Sequence, residues 1–266
     1  MIKMNKSIVL ISDIHGNANA LEVVLKEIST IEKVDQIIIL GDLLTYGCRP
    51  NKVVELLEEL NNEYECIFIK GNHEEFYFNI QSSKEPFTYE PPAFVKEAIL
   101  WTGNNLKKDL NCSFKWVESL TVDECYFAHA NPFGYGDWTY LNDKDSHTRA
   151  ALKLEELNCK YSFFGHTHRN KAGIYTDKKF TFFENTEKVF SLDKSDEESR
   201  YIFNTGSIGQ ARGTKPSYIK LLINEKNIQV IIRELDLDHT NTISEIEESS
   251  LSDETKKRLI SYLRSS

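Results

Sequence analysis

No stretch of this 266-residue chain approaches the ~20 consecutive apolar residues that cross a bilayer. The first apolar run, Ile8 to Ile11, is also too short for the core of a secretory signal. Neither membrane insertion nor export is expected. Cysteine is scarce: Cys48, Cys66, Cys112, Cys125 and Cys159 are odd in number and widely spaced, with no C-x-x-C pair. This excludes a disulfide framework and argues against zinc held by thiolates, so the expectation is free thiols in a reducing cytoplasm. Basic residues are in deficit, with 32 Lys and Arg against 41 Asp and Glu, a net charge of −9, and no long basic run. Duplex nucleic acid, gripped through clustered Lys and Arg, is therefore not an expected partner. Phosphate-bearing substrates stay open, because bound metal ions can supply local positive charge. With no internal repeat and no low-complexity linker, residues 1–266 read as one domain.

What is present is a recurring punctuation. "IVLIS" runs into Asp13 and His15, "IIILG" into Asp42, "CIFIKG" into Asn72 and His73, "CYFA" into His129, and "YSFFG" into His166 and His168. Five apolar runs each end on a residue able to bind metal, and five of the seven histidines lie at these ends. In extended chain, residues two apart point to one side, so "FFGHTHRN" is expected to aim His166 and His168 at a single spot.

Between the first two runs, Leu21, Val24, Leu25 and Ile28 share one helical face, with Asn17 or Asn19 as N-cap. Between the second and third, Val53, Val54, Leu56, Leu57 and Leu60 repeat the pattern after Pro50. Strand, helix, strand, helix, strand predicts a largely parallel sheet with helices on its faces and a crevice beyond the strands' carboxyl ends. Further helices are expected around Phe94 to Leu110, Ser146 to Leu157 and Ser252 to Arg264, the last in a C-terminal helical extension over about 240–266. Three prolines and three aromatics in "QSSKEPFTYEPPAF" predict an ordered loop or lid over 79–95. The β-rich pieces from Gly173 to Ile231 predict a second sheet packed on the first, with "DKSDEESR" as a hairpin tip or surface loop.

Any one of these polar residues is ordinary in a turn. Asp13, His15, Asp42, Asn72, His73, His129, His166 and His168 converging on one edge are not, since such a crowd is poorly satisfied without a bound partner. Imidazole, carboxylate and amide oxygen without thiolate suit divalent first-row metals: manganese, iron, cobalt, nickel or zinc. The number of groups exceeds what one ion with an open position would use. Two ions are the natural count.

The order D-x-H (Asp13, His15), G-D (Gly41, Asp42), G-N-H-E (Gly71 to Glu74), a single His (His129) and G-H-T-H (Gly165 to His168) resembles the calcineurin-like metallophosphoesterase superfamily. "NTGSIGQAR", Asn204 to Arg212, is similar to the N-P-G-S-V-G-Q-P-R stretch of its bacterial and archaeal phosphodiesterase-like branch, with Thr205 and Ala211 in place of the prolines. The resemblance runs from Ile8 to about Leu222. It implies a four-layer α/β/β/α sandwich with two mixed β-sheets and a dinuclear centre at the strand ends. It implies that Asp13, His15, Asp42 and His168 hold one ion, that Asp42, Asn72, His129 and His166 hold the other, and that Asp42 bridges. It further implies that His73 stands beside the leaving group, oriented by Glu74 or by a backbone carbonyl. The reaction implied is attack on phosphorus by a hydroxide generated between two metals, manganese being the first choice.

Serine/threonine protein phosphatases of the superfamily carry G-D-x-x-D-R-G, the arginine gripping the phosphate. This chain reads "GDLLTYG", with Thr45 and Tyr46 in the Asp and Arg slots. The implied substrate is therefore a phosphodiester of a small or nucleotide molecule, with phosphomonoesters as a further option. A protein phosphatase is the alternative and needs Arg49 or Arg212 as a substitute clamp. A non-catalytic binding module of the same fold ranks below both, because every ligand is present. Tyr46, Trp138 and Arg212 are the candidate substrate contacts. The aromatics of "NPFGYGDWTYLND", Asn131 to Asp143, either wall a base or aryl group or cover the core beneath a long loop.

Overall fold

The computed structural model describes residues 6–87 and 89–265. Alternation of apolar side chains on buried strands builds the layers. On β1 (Lys6–Ile11), Ile8 and Leu10 face one way and Val9 and Ile11 the other. On β2 (Gln36–Ile39), Ile38 and the following Leu40 join the first set, Ile37 and Ile39 the second. Strands buried on both faces read as continuous apolar runs, which is what "IVLI" and "IIIL" are.

The second set packs against α1 (Ala18–Ser29) and α2 (Pro50–Glu63), which lie to either side of β2 in the chain. Asn17, not Asn19, caps α1, its Oδ1 accepting from the Ala20 N–H at 3.1 Å. After β3 (Cys66–Ile69), α3 (Asn72–Gln81) begins at once, and its Phe76 and Tyr77 join the same layer. The expected lid over 79–95 is therefore shorter: its start belongs to α3 and its end to α4 (Ala93–Asn105), leaving an irregular segment between. A short α5 (Leu110–Ser113) leads into β4 (Trp116–Val117), which pairs in parallel with β3.

The chain then builds another sheet from β5 (Ser119–Val122), β6 (Cys125–Ala128) and β7 (Tyr161–Phe164), with α6 (Lys144–Glu156) between β6 and β7. Phe127, Tyr161 and Phe163 meet Ile8, Leu10, Ile38 and Leu40 in the space between the sheets. Tyr126, Ala128 and Phe164, on the opposite face, pack on Ala150, Ala151 and Leu154 of α6. Helix, sheet, sheet and helix are thus four layers with three apolar seams.

The β-rich region divides between both sheets, a correction to the expectation that it forms one. β8 (Asn170–Thr176), β9 (Lys179–Phe182) and β11 (Arg200–Thr205) complete a six-stranded sheet in the order β5-β6-β7-β11-β8-β9. β10 (Val189–Asp193), β12 (Ser217–Ile223) and β13 (Asn227–Glu234) extend the first into a seven-stranded sheet, β10-β13-β12-β1-β2-β3-β4. The acidic "DKSDEESR" accordingly crosses from one sheet to the other and is no hairpin tip. Both sheets are mixed, since β1–β4 run parallel while β12 and β13 are antiparallel, and β6, β7 and β11 run parallel beside antiparallel edges.

Helices α7 (Thr240–Glu248) and α8 (Asp253–Leu263) close the chain. Ile246, Leu259, Ile260 and Leu263 cluster with Ala98 of α4 and with Tyr46. Among the described residues no helix is long and apolar enough to cross a membrane. All five cysteines are free.

Candidate metal centre

The carboxyl ends of β1, β2 and β3 in one sheet and of β6 and β7 in the other meet at one place. There Asp13, His15, Asp42 and His168 form one buried group, and Asp42, His129 and His166 another, ligand atoms in each lying within 4.8 Å of one another. Asn72, the first residue of α3, brings its Oδ1 to 3.2 Å from His129 Nε2 and so joins the second group. Asp42 Oδ2 stands 3.3 Å from His129 Nε2 and 3.7 Å from His15 Nε2, between the two groups.

The backbone, not strand periodicity, aims these side chains. β7 ends at Phe164, and the two histidines beyond it adopt left-handed φ of 62° (His166) and 57° (His168). Asp13 (54°), His15 (49°) and Asp42 (56°) do the same. Such φ values strain non-glycine residues and cluster at functional sites. The period-two expectation for G-H-T-H is corrected accordingly: the histidines are not in extended chain, and each serves a different group.

Hydrogen bonds then fix every ring. His15 donates Nδ1–H to the Leu44 carbonyl (3.1 Å), His129 to that of Leu40 (2.5 Å) and His168 to that of Gln210 (2.7 Å). His166 donates from Nε2 to the Trp138 carbonyl (3.0 Å), leaving Nδ1 toward the centre. A backbone carbonyl on the far nitrogen is the arrangement of metal-binding histidines, and leaves the near nitrogen a bare lone pair. For His15 and His168 these lone pairs lie 3.0 Å apart, a repulsive approach unless a cation stands near both.

Asp13 supplies the matching observation. Its Oδ2 accepts from Ser12 Oγ (2.5 Å) and the His166 N–H (3.0 Å), while its buried Oδ1 has no hydrogen-bond partner. That oxygen is 3.3 Å from His168 Nε2 and 3.7 Å from His15 Nε2. Burial raises the Asp13 carboxyl, but His168, His15 and His129 outweigh it and hold it below the ordinary range. Burial also pushes His166 down to about 4, which keeps it neutral, whereas at His129 burial is outweighed by the Asp42 carboxylate, which holds that ring up to about 10, so a metal there would have to displace its proton. An orphaned carboxylate oxygen facing bare imidazole nitrogens fits a divalent ion, and the two groups together fit a dinuclear centre.

His73 stands beside this centre, its Nε2 3.9 Å from Asp42 Oδ2. Neither orienting group expected from the sequence holds it. Thr45 Oγ1 is 2.8 Å from His73 Nδ1 and is itself bonded to the buried Tyr77 hydroxyl. Glu74 instead accepts from the N–H groups of Gly71 (2.6 Å), Asp42 (2.8 Å) and Leu43 (2.9 Å), tying the start of α3 to the Asp42 loop. Thr45 and Tyr77 carry no sequence signal beyond their position in ordinary-looking stretches. The stretch "NTGSIGQ" proves to be scaffold: Ser207 Oγ donates to the Asp13 carbonyl (2.7 Å), the Gly209 N–H to the same carbonyl (3.1 Å), and Gln210 receives His168.

The aromatic segment after His129 divides its roles. Phe133 packs into the α6 layer. Tyr140 lies flat on His166 at 4.1 Å, and the half-buried Trp138 stands edge-on to His129 at 6.0 Å. Tyr46 is only 7 % exposed and leans on His15 (4.7 Å) and His73 (5.3 Å), backing the site from the α7–α8 side. Arg49 is committed elsewhere, near Asn19 (3.4 Å) and Glu245 (3.7 Å). Arg212 remains beside the centre, its charge felt by His168 and by the hydroxyls of Tyr46 and Tyr140.

A family model described as calcineurin-like phosphoesterase matches residues 6–170. An uncharacterised protein of Methanocaldococcus jannaschii is 29% identical over 262 residues, covering 95% of this chain and 96% of its own. Among solved structures, a metallophosphoesterase of Sphaerobacter thermophilus superposes with a TM-score of 0.71 at 24% identity, over 97% of this chain and all of that one. A hypothetical protein of Pyrococcus horikoshii gives 0.70 at 16% identity, over 95% and 97%.

Proposed function

This chain belongs to the calcineurin-like phosphoesterases, hydrolases acting on phosphoester bonds, and from that premise we propose that it hydrolyses phosphodiesters of small or nucleotide substrates at a two-metal centre. The observation that carries the proposal is the pair of buried groups sharing Asp42, with Asp13 Oδ1 orphaned and His15 and His168 presenting lone pairs to one point. Asp13, His15, Asp42 and His168 would hold one ion, and Asp42, Asn72, His129 and His166 the other. When bound, two such ions, manganese first among them, supply Lewis acidity at the phosphoryl oxygens and at the attacking water.

The protein's own part is orientation and a proton. Carbonyls of Leu40, Leu44, Trp138 and Gln210 fix the orientation of the four histidine rings before any substrate arrives. If Tyr77 donates to Thr45 and Thr45 to His73 Nδ1, the imidazole presents Nε2–H to the site, where it stabilises charge building on the leaving oxygen. Trp138 and Tyr140 give an aryl or base leaving group an aromatic face beside the second metal group. Tyr46, in the slot where the protein phosphatases carry arginine, is buried and uncharged, so the fork that grips a phosphate dianion is missing from that position.

The test is kcat/KM on bis-nitrophenyl phosphate, nitrophenyl phosphate and a phosphoserine peptide under one manganese condition. The diester is expected to be turned over at least as well as the matching monoester, and the peptide weakly. A strong preference for the peptide would replace this reading with the protein phosphatase.

A further inference from the structure

Arg212 lies outside the residues that the family model matches, yet three side chains are arranged around it. Its Nη2 donates to Gln210 Oε1 at 3.2 Å. Burial raises the hydroxyl of Tyr140, the ring that lies on His166, and the nearby Arg212 charge pulls it back. The guanidinium carbon is 5.2 Å from the centroid of Tyr262 on α8, inside the range of a cation–π contact. The backbone at Arg212 is fixed too, its N–H donating to the His168 carbonyl at 3.1 Å. No carboxylate pairs with it among the described residues, and its buried Nε has no hydrogen-bond partner.

A half-buried guanidinium whose buried Nε has no partner is less favourable than one fully hydrated. Beside a pocket built for divalent cations it is doubly so, because like charges repel in a low-dielectric site. The arrangement becomes favourable when an anion stands between Arg212 and the centre. A phosphodiester brings one negative charge, which the centre can hold. A phosphomonoester brings close to two, and its additional oxygen suits the planar fork that only arginine offers.

We propose that Arg212 binds the oxygen that distinguishes a phosphomonoester from a diester, and that Tyr262 is a positioning residue holding that guanidinium through its ring face. The proposal rests on the phosphoester hydrolysis above and adds monoesters as a second substrate class. It also makes α8 part of the specificity apparatus. The helix is well fixed for this: Leu259, Ile260 and Leu263 are buried against Tyr46, Ala98 and Ile246, and Ser252, its N-cap, bonds Glu97 of α4 through both N–H and Oγ at 2.6 Å. Arg258, one turn back, lies 5.0 Å from the same ring, so Tyr262 is a site where guanidinium groups gather.

The experiment compares wild type with Arg212→Ala, Arg212→Lys, Tyr262→Ala and Tyr262→Phe, each first checked for metal content and melting temperature. Two quantities are read: kcat/KM for nitrophenyl phosphate against bis-nitrophenyl phosphate, and the thermal shift given by inorganic phosphate to the manganese-loaded protein. Arg212→Ala is expected to lower the monoester value about 10- to 100-fold and the diester value less than about 3-fold, and to remove the phosphate shift. Arg212→Lys falls between. Tyr262→Ala is expected to lower the monoester value about 3- to 10-fold, and Tyr262→Phe, which keeps the ring, to stay within about 2-fold of wild type. Equal loss on both esters, or a phosphate shift that survives Arg212→Ala, overturns the role of Arg212. Tyr262→Phe as damaging as Tyr262→Ala overturns the role of the ring. A wild type that hydrolyses neither ester but shows an Arg212-dependent phosphate shift sinks the phosphoesterase reading and leaves the anion site standing.

Discussion

His73 and Thr45 show how much of the chemistry hangs on single atoms. His73 is no ligand in the arrangement described; its Nε2 faces Asp42 Oδ2 at 3.9 Å and its Nδ1 is held by Thr45. His73→Ala should therefore lower kcat by roughly 10²- to 10⁴-fold with metal content intact, and the loss should shrink for a good leaving group such as nitrophenolate. Loss of metal in this variant would reassign it as a ligand. Thr45→Val tests the group behind it. The change keeps the shape but removes the hydroxyl between His73 and Tyr77, leaving the ring free to rotate or change tautomer. We expect kcat to fall by about 10-fold with KM and bound metal unchanged, at a stability cost of about 1–3 kcal/mol for the buried groups left short of a partner. If Thr45→Val matches wild type in kcat, the relay from Tyr77 has no part in the reaction.

At the scale of the element, the five apolar runs and the polar residues that end them were legible because a strand covered on both faces reads as an unbroken apolar run, as "IVLI", "IIIL" and "YSFF" do. The helices α1 and α2 were equally plain from their apolar stripe. Three features were hidden. α3 starts one residue after Gly71 and shows little amphipathic pattern, since its inward face includes His73 and Glu74 as well as Phe76 and Tyr77. The division of the later strands between two sheets depends on long-range pairing, as in Leu10 with Ile219 or Phe203 with Phe163, which no local pattern encodes. The left-handed turns carrying Asp13, Asp42, His166 and His168 have no signature either, because the φ is imposed by the fold on residues that do not favour it. The adjoining glycines mark such turns only indirectly. At Gly165 an added Cβ would lie 1.9 Å from Ser12 Oγ and 2.5 Å from Asp13 Oδ2. Gly165→Ala should therefore displace Asp13 and lower the affinity of the first metal group by at least about 10-fold, the usual scale of a disturbed support beside a ligand. A metal titration of this variant that overlays wild type would show that the strand end gives way without moving Asp13.

For the whole molecule, the position of the centre matters as much as its contents. Asp13, His15, Asp42 and Asn72 follow strands of the seven-stranded sheet, while His129, His166 and His168 follow strands of the six-stranded one. Each group takes ligands from both, so each ion would join the two sheets at the open end of their shared apolar seam. Without ions that end holds the partnerless Asp13 Oδ1 and the facing nitrogens of His15 and His168; with ions it would become a crosslink. Ligands that bind only the folded state stabilise it by mass action, about 4 kcal/mol at 1,000 times the dissociation constant. At roughly 2–4 °C per kcal/mol for a chain near this size, manganese saturation should raise the melting temperature by about 8–16 °C relative to chelator-treated protein. Elemental analysis should find about two transition-metal ions per chain, with activity lost in chelator and restored by manganese. Asp42→Asn, which removes charge from the one carboxylate shared by both groups, should abolish most of the thermal shift, whereas Asn72→Ala should spare the part due to the first group. A metal-free sample that keeps its activity, or a melting temperature indifferent to manganese in the wild type, would show that the two groups are not joined through metal.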